Sequence, residues 1–140
     1  MESTTSKNQL NLLIIVSIII ILWAVFNPFS PSMPKVDNIN QIDAYTLIKA
    51  GKTLVLDVRE KKAFDKGHLP NAISVPIGDL DKRIGEFEAD KAKEIIVYCN
   101  DGSTRGPRGT KKLNDAGFAR AKNLKGGVEG WKKAKYEVLK

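Results

Sequence analysis

The sequence predicts an α/β domain on a parallel sheet, preceded by one separate apolar helix. Three observations carry this. Short apolar runs recur at Thr53–Asp57, Ala72–Val75 and Ile95–Cys99, with a last strand at Arg120–Leu124. Segments of helical spacing alternate with them, the pattern of a parallel sheet covered on both faces. No residue between Lys7 and Lys35 is charged, so the first segment is set apart from the rest.

That first segment divides into a tail (1–9), an apolar span (10–29) and a Pro-rich tether (30–36). At 1.5 Å per residue, Leu10 to Phe29 rises about 30 Å, the thickness of a hydrocarbon core. Trp23 and Phe26 stand near one end, where aromatic rings suit the interface. Four successive isoleucines make the segment apolar all round, unlike a half-buried helix. A cleaved signal peptide is the competing reading, but the run is long for one and no small-x-small site follows it. The expectation is a single-pass anchor in a lipid bilayer. A slight positive-inside bias puts the domain outside the cytoplasm, as at a bacterial inner membrane.

The domain follows at 37–140. Asp43–Ala50 is amphipathic and ends at Gly51. Thr53–Asp57 is an apolar run stopped by a polar residue, and Ala72–Val75 is stopped by Pro76. From Asp79 to Ala89, Leu80, Ile84 and Phe87 fall at helical intervals. Ile95–Cys99 is the third apolar run. Thr110–Ala116 reads as a helix closed by Gly117. In such sheets the ligand site lies beyond the carboxyl ends of the strands, which points to whatever follows Asp57, Val75 and Cys99.

The chain has 140 residues, net charge +7, one cysteine (Cys99) and one histidine (His68). Those counts exclude an intramolecular disulfide framework and a Cys/His zinc cage. No metal and no cofactor is expected, and any thiol chemistry rests on one sulfur. Residues 99–140 carry eleven basic and four acidic side chains, against ten and eleven in 36–98. The surplus positive charge therefore begins at Cys99 and favours an anionic ligand. Nucleic acid is not expected, because no aromatics interleave with the basic set.

Cys99 ends a strand and is followed by Asn100, Asp101, Gly102, Ser103, Thr104 and Arg105, a C-x5-R spacing. A short loop between a strand end and a helix turns backbone N–H groups toward an anion, with the helix dipole assisting. Gly102 permits the sharp turn, and Arg105 closes the ring with a planar fork. The same setting populates a thiolate, the nucleophilic form of cysteine.

Leu56-Asp-Val-Arg-Glu60, Phe64 to Pro76, Ile96-Val-Tyr-Cys99, Leu113 to Phe118 and Leu124 to Trp131 together resemble the rhodanese-like domain family. The resemblance runs from about residue 37 to the C-terminus. It implies an α/β fold around about five parallel strands, and a cysteine that carries a persulfide in sulfurtransferase members. Carried over, Cys99 is the nucleophile, Asn100 to Thr104 line the pocket and Arg105 closes it. Asp57 and Arg59 match the Asp-Val-Arg motif near the active site and are candidate substrate-binding residues. His68, Gly126, Gly127 and Trp131 match positions of structural support.

The loop departs from the sulfurtransferase pattern, which has four residues between Cys and Arg and Ser or Thr after it. Here there are five, and Gly106 follows. Arg105-Gly-Pro-Arg108 resembles the cell-division-cycle dual-specificity phosphatases and related arsenate reductases. Those phosphatases have a loop Glu where this chain has Thr104. The leading expectation is a membrane-anchored sulfurtransferase moving sulfane sulfur through a Cys99 persulfide, from thiosulfate or a persulfide donor to a thiol or cyanide. A Cys-dependent phosphatase or arsenate-handling enzyme is the alternative, and a non-catalytic rhodanese-like binding module the third.

Overall fold

Five short strands pair in parallel in the computed structural model, which describes residues 4–26 and 32–140, with side chains from 9–23 and 32–140. The chain divides into two units, Met1–Ser32 and Met33–Lys140.

The first unit holds one helix, α1 (Thr4–Phe26). Its described side chains, from Leu10 to Trp23, are mostly exposed apolar groups. Here the sequence expectation is corrected. Among the described residues no helix is long and apolar enough to cross a membrane. The anchor, the bilayer partner and the membrane location are therefore withdrawn. Residues 1–3 of the expected tail, 27–29 of the expected span and 30–31 of the tether lie outside the described residues.

In the second unit the elements run β1 (Asn38–Ile39), α2 (Gln41–Lys49), β2 (Thr53–Asp57), α3 (Lys61–Asp65), β3 (Ala72–Ser74), α4 (Leu80–Arg83), a 3-10 helix (Ile84–Asp90), β4 (Glu94–Tyr98), α5 (Arg105–Asp115), β5 (Ala121–Leu124) and α6 (Gly127–Lys133). The strand order is β1-β5-β4-β2-β3. The parallel sheet expected from the apolar runs is present, with the five strands that the resemblance implies. From β2 the chain moves outward to β3, then returns to β4 on the other side and continues to β5. The direction of winding thus reverses between β2 and β4, whose ends lie level, with Asp57 opposite Tyr98. Ligands of open parallel sheets bind at such a reversal.

The period of two along β4 divides the core. Ile95, Val97 and Cys99 face one side with Leu56, Val58, Phe87, Leu113 and Phe118. Ile96 and Tyr98 face the other with Ala44, Ile48, Leu124 and Trp131. Cys99 therefore emerges on the face that α5 covers.

β1 and α3 were not marked in the sequence reading, and three further elements differ from it. Helix α5 starts at Arg105 rather than Thr110, because Gly106 and Pro107 read as loop. Proline is tolerated in a first turn, where its missing N–H has no helical acceptor. The segment after Arg83 tightens into a 3-10 helix instead of continuing as α-helix. The third difference is α6, hidden behind Gly126–Gly127; both glycines have positive φ and bend the chain from β5 straight into it.

Candidate active site

The loop from Cys99 to Thr104 leaves the central strand and enters α5. Cys99 is 2% exposed. Its Sγ lies 3.8 Å from Asp101 Oδ1, within reach of an S–H···O contact. Asp101 is itself held in place. Its Oδ1 accepts the Ser103 amide (3.0 Å) and its Oδ2 accepts the Ser103 hydroxyl (2.8 Å). These two bonds, the amide first, hold the Asp101 carboxyl below its ordinary range, so it is ionised at neutral pH.

The loop carbonyls are tied away from the sulfur. Those of Cys99 and Asn100 accept the first free amides of α6, from Val128 (3.0 Å) and Glu129 (2.9 Å). That of Gly102 accepts Asn123 Nδ2 (2.9 Å) from β5. That of Thr104 accepts the Arg108 amide (3.2 Å) as α5 begins. The amides of Asn100, Gly102 and Thr104 have no acceptor among the described residues. Of these, the Asn100 N–H belongs to the peptide whose Cys99 carbonyl α6 engages, and a planar peptide presents its N–H on the side away from its carbonyl. Gly102, at φ +73°, is where this arrangement needs glycine, since a Cβ there would overlap the Leu124 carbonyl and stand 2.8 Å from the Gly126 nitrogen.

Arg105 is half-buried at the first position of α5 and makes no ion pair among the described residues. Arg108, one turn further, is exposed and also without a carboxylate. The structure thus brings Cys99, Asn100, Asp101, Gly102, Ser103, Thr104 and Arg105 into one loop with a cation left over. Such a loop can receive an anion next to a nucleophilic sulfur.

Asp57 and Arg59 are placed differently. Both are buried and closed on each other, with Arg59 Nη2 2.6 Å from Asp57 Oδ2 and Nε 2.9 Å from Oδ1. The Arg59 amide donates to Asp57 Oδ1 (2.9 Å), and Nη2 donates to the Gly67 carbonyl (2.8 Å). The guanidinium lies 5.6 Å from the Tyr98 ring centre. The Tyr98 hydroxyl accepts the Leu69 amide (3.1 Å). Burial, aided by Asp57, pushes that phenol far above its ordinary range, so it stays neutral. These groups brace the segment after β2; both Asp57 oxygens and Arg59 Nε and Nη2 are paired within the fold.

His68 stacks on Phe64 at 4.0 Å, and its backbone pairs with Leu139 on the C-terminal segment. Trp131 is fully buried and donates from Nε1 to the Glu137 carbonyl (2.8 Å). Two contributors were not foreseen in the sequence: Asn123 and the first amides of α6. The Gly126–Gly127 pair after a strand was the available signal for the second; nothing marked the first.

The Rhodanese-like domain family matches residues 40–134. A thiosulfate sulfurtransferase, GlpE of Coxiella burnetii, is 30% identical over 94 residues, covering 67% of this chain and 85% of that protein. A sulfurtransferase of Allochromatium vinosum is 27% identical over 97 residues, covering 66% and 88%. Among solved structures, a rhodanese-related protein from Thermoplasma volcanium is similar with a TM-score of 0.66 at 30% identity, covering 74% of this chain and 97% of its own.

Proposed function

The chain belongs to the rhodanese-like domain family, and from that premise we propose that it is a sulfurtransferase that carries sulfane sulfur on Cys99. The observation that supports this most is the loop itself. A single buried sulfur sits at the end of the central strand, beside amides and an arginine that nothing in the described residues engages.

In the first half-reaction the Cys99 thiolate attacks the outer sulfur of thiosulfate. A new S–S bond forms at Cys99, the sulfur–sulfur bond of thiosulfate breaks, and sulfite leaves with the electron pair. The loop amides and Arg105 hold the anionic donor and offset the charge on the persulfide that remains. In the second, a thiolate or cyanide attacks the outer persulfide sulfur and Cys99 leaves as thiolate. With one cysteine in the chain, no internal thiol resolves the persulfide, so the acceptor is external. A persulfide donor follows the same course with a thiolate as leaving group. Asn100 to Thr104 act as the pocket wall. Asp57 and Arg59 act as a brace and not as substrate ligands.

The C-x5-R spacing favours the phosphatase alternative, but phosphoester cleavage gains from a general acid at the leaving oxygen. The one loop carboxyl, Asp101, is pinned by Ser103 and ionised, so it holds no proton to give at neutral pH. The test is thiocyanate formation from thiosulfate and cyanide, with an aryl phosphate assayed in parallel. Thiocyanate without phosphate release, lost in Cys99→Ser, is expected; phosphate release without thiocyanate would reverse the order of the two readings. Neither product would leave the binding module.

A further inference from the structure

One buried polar side chain outside the loop holds it and has no part in the reaction as written. Asn123, on β5, is 1% exposed. Its Nδ2 donates twice, to the Gly102 carbonyl (2.9 Å) and to Asn38 Oδ1 (2.7 Å). Its Oδ1 is buried with no partner. An orphaned amide oxygen is costly in a protein interior. Turning the amide over does not relieve it, because that sets oxygen against the Gly102 carbonyl. Asparagine stands here for its donor, and the lone acceptor is the consequence.

The donor grips a particular peptide. The Gly102–Ser103 unit is planar, so its two ends move together. Its carbonyl is held by Asn123 Nδ2, and its N–H is given to Asp101 Oδ1 at 3.0 Å. That same Oδ1 lies 3.8 Å from Cys99 Sγ. Asn123 is thus one rigid peptide and one carboxylate away from the sulfur. It also lies near the sulfur across Gly106: a Cβ there would overlap Asn123 Oδ1 and stand 3.5 Å from Cys99 Sγ. Asn123 therefore accounts for the glycine after Arg105, where sulfurtransferase members carry Ser or Thr.

We propose that Asn123 is a positioning residue for the Cys99 loop, holding the Gly102–Ser103 peptide, and through it Asp101, in place beside the sulfur. The proposal rests on Cys99 as the reacting group and extends that reading to β5. It requires that loosening this grip weaken the sulfur's reactivity even as it opens the loop.

The test uses the full chain as wild type, Asn123→Asp, Asn123→Ala and Asn38→Ala. Alkylation of Cys99 by iodoacetamide at pH 7 is followed by intact mass, with sulfur uptake from thiosulfate and thermal midpoint measured beside it. Asn123→Asp keeps the size and loses the donor; Asn38→Ala removes the other Nδ2 partner at an exposed position. Alkylation is expected to slow about fivefold in the Asn123 variants and about twofold in Asn38→Ala. A merely structural role gives the opposite sign, since a loosened fold exposes a buried cysteine and speeds its alkylation. Faster or unchanged alkylation overturns the proposal. If the Asn123 variants do not fold, the Asn38→Ala rate decides alone, slower in support and otherwise against. A wild type that alkylates readily but takes up no sulfur removes the sulfurtransferase reading and leaves this one standing.

Discussion

Two polar segments leave adjacent parallel strands at the same end of the sheet, and they are built in opposite ways. After β2, Asp57 and Arg59 close on each other, and Arg59 reaches on to the Gly67 carbonyl. After β4, the Cys99 loop gives four carbonyls to α6, Asn123 and Arg108, while the amides of Asn100, Gly102 and Thr104 and the Arg105 side chain are unengaged among the described residues. One segment is satisfied and the other is held open. The difference teaches that charge near a strand end does not make a site. Donors left without partners around a nucleophile do, because a ligand can still gain what the protein has not used.

The largest effect expected of this contrast is on chemistry alone. Cys99→Ser abolishes sulfur uptake and leaves the circular dichroism spectrum of the wild type. Arg59→Ala acts in the other currency. It leaves Asp57 buried without a cation, and breaking such a pair costs about 3–5 kcal/mol. Urea titration should show that loss, while sulfur transfer per folded molecule is retained. A variant of Arg59 that folds normally but loses turnover would erase the distinction between the two segments.

Arg105→Ala comes next. Removing one preorganised donor to an anion typically costs about a hundredfold in rate, and steady-state thiocyanate formation should fall by that order. Because Arg105 is half-buried and makes no ion pair among the described residues, the variant's thermal midpoint should hardly move. The smallest effect lies at the opposite end of β4. Glu94 pairs with Arg120 and Lys122. The hydrogen bond from Arg120, then Lys122, holds its carboxyl below the ordinary range. A depressed carboxyl stabilises the fold fully above its unfolded value and loses that contribution as pH falls through the folded one. Glu94→Gln should therefore cost about 0.5–1 kcal/mol at pH 7. The difference from wild type should vanish well below about pH 4, as unfolding at a series of pH values would report.

Much of this was legible in the residues. Short apolar runs alternating with helical segments pointed to buried parallel strands, and the sheet has them. Cys99, Gly102 and Arg105 announced the loop because strand end, glycine and arginine each have a local meaning. Asp57 and Arg59 were harder: motif and strand-end position suggested a substrate role, and only the side-chain geometry shows them spent on each other. Asn123 gave no signal because its work depends on contacts 21 and 85 residues away in sequence. Helix α5 began early because a proline in a first turn looks like a proline in a loop. The apolar N-terminal run was overread: its length, its all-round apolar character and the aromatics Trp23 and Phe26 suggested a crossing, while among the described residues no helix is long and apolar enough for one.

The central claim is that Cys99 carries the sulfur. Intact mass of the full chain after thiosulfate or a low-molecular-weight persulfide tests it most directly. The account predicts an added mass of one sulfur atom, absent in Cys99→Ser and removed from wild type by cyanide with release of thiocyanate. An unchanged mass with both donors, in a folded protein whose Cys99 still reacts with iodoacetamide, would contradict it.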